Sequence, residues 1–97
     1  MGTNLWIFDY DNTLMPSYIS NIIINKSKIS ENDINEIIII LLNIIITMNK
    51  IIELNGKIII LTAALNPWVY TTLRGADKII KENRNLINYK IIKENTI

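Results

Sequence analysis

The sequence predicts an α/β fold: a parallel sheet of about three strands in a three-layer arrangement. Three observations carry that expectation. Leu5-Trp6-Ile7-Phe8 and Ile58-Ile59-Ile60-Leu61 are short, fully apolar runs of the kind that form buried strands. A long helical segment lies between them. The resulting order of strand, long helix, strand, helix, strand is that of a parallel sheet with helical crossovers.

The first strand, residues 5–9, stops abruptly at Asp9-Tyr10-Asp11-Asn12, which reads as a polar loop. Residues 14–30 read as an irregular flap containing Pro16, with 22–24 either a short strand or a helical turn. Ser30 can cap a helix, and Asp33 three residues on suits its positive end. That helix is predicted over residues 31–54, with Asn55-Gly56 as its stop and Gly56 in the left-handed conformation. The second strand follows over 57–62. Asn66-Pro67 then marks a helix start, with Asn as cap and Pro in the first turn. Val69, Leu73, Ala76 and Ile80 recur at helical spacing over 67–84, although Gly75 interrupts at about 1 kcal/mol relative to Ala. Residues 86–92 are the third strand candidate.

Composition bounds the chemistry. A chain of 97 residues supports one small domain. Hydrophobic residues make up 49% against 20% charged, which excludes a disordered polyelectrolyte. The net charge of +1 gives no electrostatic case for nucleic acid or an acidic membrane surface. There is no cysteine and no histidine, so thiol nucleophiles, Ser-His-Asp mechanisms and most transition-metal sites are excluded. Isoleucine supplies 25 residues and asparagine 14, a bias that resembles drift toward AT-rich codons. Isoleucine favours strands by chemistry but fills helix positions under such a bias, so periodicity outweighs residue identity.

The N-terminus lacks a basic segment followed by a long apolar core, so no signal peptide is expected and a cytoplasmic location follows. The apolar run at 37–42 is broken by Asn43 before 44–46, short of the roughly 18–20 apolar residues of a membrane span. The basic residues Arg74, Lys78, Lys81, Arg84, Lys90 and Lys93 are interrupted by Asp77, Glu82 and Glu94, as on a solvated helix face.

Two parallel strands joined by a right-handed crossover end on the same edge of their sheet. Asp9 and Asp11 follow the first, and Thr62 ends the second. Carboxylates suit a hard cation, and a hydroxyl with helix N–H groups suits an anion. Together they suggest a magnesium-assisted phosphate site at the carboxyl end of the sheet.

The stretch Leu5-Trp6-Ile7-Phe8-Asp9-Tyr10-Asp11-Asn12-Thr13-Leu14 resembles motif I of the haloacid dehalogenase-like superfamily, an apolar strand followed by Asp-x-Asp-x-Thr. Ile58-Ile59-Ile60-Leu61-Thr62 resembles its motif II. Thr62-Ala63-Ala64 followed by Trp68-Val69 is similar to a Thr-Asn-Ala…Gly-Trp-Val segment of one subgroup. The resemblance implies a Rossmannoid core and a phosphatase acting through an aspartyl phosphate. Asp9 would be the nucleophile and Asp11 the general acid. Mg2+ would be held by the Asp9 carboxylate and the Asp11 backbone carbonyl, and phosphate by Thr62 and Ala63. The third motif's Lys or Arg and the fourth motif's acidic residues have no counterpart here, so weak catalysis is expected of the chain. The alternative is a noncatalytic remnant or interaction module. The short flap favours bulky phosphorylated substrates, including phosphoproteins. The unpaired edge of the first strand invites self-association.

Overall fold

The computed structural model describes residues 4–25, 28–61 and 68–96. Strand β1 spans Leu5–Asp9, helix α1 Ser17–Asn25, helix α2 Glu31–Glu53 and strand β2 Lys57–Leu61. Helix α3 spans Trp68–Glu82, a 3-10 turn Arg84–Leu86, and helix α4 Tyr89–Asn95. The strands pair in parallel, with Leu5 opposite Lys57 and Asp9 opposite Leu61.

Helix α2 starts where its capping residues put it. Ser30 Oγ accepts the Asp33 N–H and Asp33 Oδ2 accepts the Ser30 N–H, both at 3.1 Å. This reciprocal pair satisfies two of the orphan donors of a helix end. At the other end, Gly56 N–H donates to Ile51 O and Asn55 N–H to Ile52 O, each at 2.9 Å. Asn55 takes the left-handed conformation, at φ 60°, not Gly56 as expected. Gly56 is small for another reason: a Cβ there would lie 2.7 Å from Ile51 Cγ2 and 3.1 Å from Trp6 Cδ1.

The three-layer sheet is not what forms. Among the described residues the fold is mostly helical, with a sheet of two strands and helix α2 as its hub. Helices α1, α3 and α4, the 3-10 turn and β2 all pack on α2. The core is Tyr10, Met15, Ile19, Ile23, Ile34, Ile37, Ala76 and Ile79. None of these lies in a strand. The radius of gyration is 14.5 Å, above the ~13 Å expected of a compact 100-residue domain.

The expected third strand at 86–92 is the 3-10 turn followed by α4. Buried Asn35 on α2 decides this. Its Nδ2 donates to Leu86 O at 3.1 Å, and its Oδ1 accepts the Asn88 N–H at 2.7 Å. Those backbone groups are thus taken from any sheet ladder. Asn88 then caps α4 by accepting the Ile91 N–H at 3.2 Å. Residues 17–25, inside the segment read as a flap, form α1, which buries Ile19 and Ile23 one helical turn apart. Helix α2 is long and apolar enough to cross a membrane by length and composition, although its longest uninterrupted apolar run is short.

Candidate active site at the end of the first strand

Asp9 closes β1 beside Leu61, the last residue of β2, and its side chain is exposed. The ladder continues one step further, Tyr10 N–H donating to Leu61 O at 2.8 Å. The chain then coils around the Tyr10 carbonyl. That oxygen accepts the N–H groups of Thr13, Leu14 and Met15 at 3.4, 3.1 and 2.9 Å. Asn12 makes the reversal possible by adopting φ 61°, a conformation Asn tolerates better than most residues. Its Oδ1 also accepts the Ser17 N–H at 2.9 Å, which ties the loop to the start of α1.

Helix α3 clamps this loop from the other side. Trp68 Nε1–H donates to Asp11 Oδ1 at 2.8 Å. One turn on, the Thr72 hydroxyl is hydrogen-bonded to the Tyr10 hydroxyl, and it lies 3.1 Å from the carbonyl oxygens of Trp68 and Val69. Tyr10 and Thr72 are buried. Burial raises the Tyr10 phenol above its ordinary value, with the Asp11 charge adding to the effect and the Thr72 bond opposing it. Asp11 is therefore held half-buried by a tryptophan whose own helix is anchored through Thr72.

The structure thus places Asp9 and Asp11 at the carboxyl end of the parallel pair. Thr62 and Ala63, the expected phosphate-binding residues, lie outside the described residues, as does the expected Asn66-Pro67 helix start. Among the described residues, no group of three or more His, Cys, Asp or Glu side chains could hold a metal ion. The Asp9 carboxylate with the Asp11 backbone carbonyl is nonetheless a donor set that magnesium accepts, since it keeps several waters and takes one or two carboxylates plus substrate oxygens. Lys90 and Lys93 sit on α4.

Tyr10, Trp68 and Thr72 are the site residues that sequence reasoning missed. A signal existed: Trp68 and Thr72 are four apart, so they share one face of a helix starting just after the second strand. Comparison with protein-family models, curated proteins and solved structures gives no match to this chain.

Proposed function

We propose that the chain carries the nucleophile-bearing part of a magnesium-dependent phosphatase site. The observation that supports this is the parallel register, which sets exposed Asp9 beside the end of β2, one residue before Thr62. An Asp9 carboxylate oxygen attacks phosphorus, and the ester P–O bond breaks. Asp11 acts as the general acid, and a proton passes from its carboxyl to the departing alkoxide. Asp11 then takes a proton from water as that water attacks the aspartyl phosphate, which releases phosphate and restores Asp9. Trp68 orients Asp11 for both transfers. Magnesium, when bound, supplies positive charge against the phosphoryl oxygens.

Substrates are phosphate esters, with bulky ones such as phosphoproteins favoured. The exposed position of Asp9 supports this, as does a flap segment folded into the core as α1. Slow turnover is expected of these 97 residues, because the third motif's Lys or Arg has no counterpart among them and one charge-stabilising group commonly changes rate by about 10²–10³. The test is hydrolysis of an aryl phosphate with magnesium by the chain and by Asp9→Asn and Asp11→Asn. Slow turnover lost in Asp9→Asn, and reduced by roughly 10²-fold or more in Asp11→Asn, supports the reading. Equal rates for the parent and Asp9→Asn would sink it.

A second reading, a noncatalytic interaction module, is favoured by a different observation. The sheet leaves Leu5, Ile7, Ile59 and Leu61 exposed.

A further inference from the structure

Side chains alternate across a strand, so the register sorts the sheet into two faces. Trp6, Phe8, Ile58 and Ile60 share one, where Trp6 stacks on Phe8 at 6.5 Å near the α2 end at Ile51; there Trp6 is 43% and Ile60 39% exposed, while Phe8 and Ile58 are half-buried. Leu5, Ile7 and Asp9 share the other with Lys57, Ile59 and Leu61. On that face Leu5 is 55% exposed, Ile7 57%, Ile59 43% and Leu61 55%. No described element covers it. Parallel strands with continuous apolar runs are found almost only where both faces are covered. Four adjacent aliphatic side chains are also more than the scattered exposure of an ordinary surface.

The charges on this face say what fits it. Asp9 stands at the end of β1 and Lys57 at the start of β2, so they occupy diagonal corners of the patch. Consider a second copy laid on the face about a two-fold axis running across the strands. Each strand then lies antiparallel on its own twin. Ile7 centres on Ile7 and Ile59 on Ile59. Asp9 of either copy falls above Leu5 of the other, beside Lys57. Stacked sheets are about 10 Å apart and neighbouring strands about 4.8 Å, which a lysine and an aspartate side chain can span between them. The symmetry makes this contact twice. A two-fold axis along the strands instead gathers both Asp9 at one end and both Lys57 at the other. Charge therefore selects the antiparallel arrangement.

We propose that the face formed by Leu5, Ile7, Ile59 and Leu61 is a self-association surface for a second copy of this chain, docked antiparallel with reciprocal Asp9–Lys57 pairs. The patch has six residues a side, against the roughly 20–30 a side of a standard interface, so the dimer is weak. It does not rest on the phosphatase reading. Asp9 cannot serve both at once, so dimer and phosphoryl transfer at Asp9 exclude each other.

The test is sedimentation velocity of the full chain over rising concentration, up to several hundred micromolar. The parent passes from monomer to dimer. Asp9→Lys and Lys57→Asp, both at exposed positions, each weaken the dimer about tenfold, and the double reversal recovers it to within about threefold. Ile7→Glu sets like charges on the symmetry axis and abolishes the dimer, with helical circular dichroism unchanged. A parent that stays monomeric overturns the proposal. So does assembly indifferent to the single reversals, as pairing through the strand edge would give, or a double reversal no tighter than the singles.

Discussion

The helical packing and the two-stranded sheet are both built largely from isoleucine, yet they treat it in opposite ways. Ile19, Ile23, Ile34 and Ile37 are fully buried between α1, α2 and their neighbours, whereas Ile7, Ile59 and Ile60 stand exposed on the strands. Spacing and neighbours therefore decide burial here, not residue type. Helical spacing of three or four gathers isoleucines onto a face that other helices cover. The strands are apolar on both faces, but α2 is the described helix that packs on them appreciably, and it does so through β2.

Substitutions in the two regions should differ in cost. Ile37→Ala should cost about 2–5 kcal/mol in urea unfolding, because a fully buried side chain leaves a cavity. Ile59→Ala removes a side chain already 43% exposed and should cost under about 1 kcal/mol. Equal losses would mean the sheet belongs to the cooperative core.

Gly75→Ala probes the contact between α1 and α3. The added Cβ would lie 2.6 Å from Cγ2 of buried Ile23. Overpacking at about 1–3 kcal/mol exceeds the gain of about 1 kcal/mol from replacing a helical glycine. The variant should melt lower than the parent; a higher melting temperature would show that the two helices can move apart freely. Ser30→Ala removes the side-chain half of the α2 capping box and should cost about 1 kcal/mol, read from the same unfolding curves.

The smallest effect is a pH dependence. The folded-state pKa of Tyr10 is raised above its unfolded value, so the folded chain holds that proton more tightly. The associated stability is complete below the ordinary tyrosine value near 10 and is lost as pH rises toward the folded one. Stability of the parent should therefore fall more steeply above that pH than stability of Tyr10→Phe. Parallel curves would show that the buried phenol titrates normally.

The placement of Asp9 and Asp11 at the end of the first strand was legible in the sequence, and less of the fold was. The apolar runs ending at Asp9 and Leu61 marked both strands, and Ser30 with Asp33 marked the start of α2. Their parallel pairing followed from the long helix between them. The third strand was misread because Leu86-Ile87 and Ile91-Ile92 have strand-forming side chains, while the group that diverts them, Asn35, lies 51 residues upstream of Leu86. The hold of Trp68 on Asp11 is likewise a contact across 57 residues, which local pattern does not reveal. The flap segment concealed α1 because its helical signal is short and Asn-rich. That no third layer forms among the described residues could not be read from strands that are apolar on both faces.

If Asp9 is the carboxylate that takes up phosphate, a covalent intermediate can be trapped on it. The chain is incubated with magnesium and an aryl phosphate, quenched in acid, reduced with borohydride and mapped by peptide mass spectrometry. An acyl phosphate is reduced to the alcohol, so Asp9 should be converted to homoserine in the parent and Asp11 left untouched. Conversion at another carboxylate, or none at Asp9 under conditions where phosphate is released, would contradict that role for Asp9.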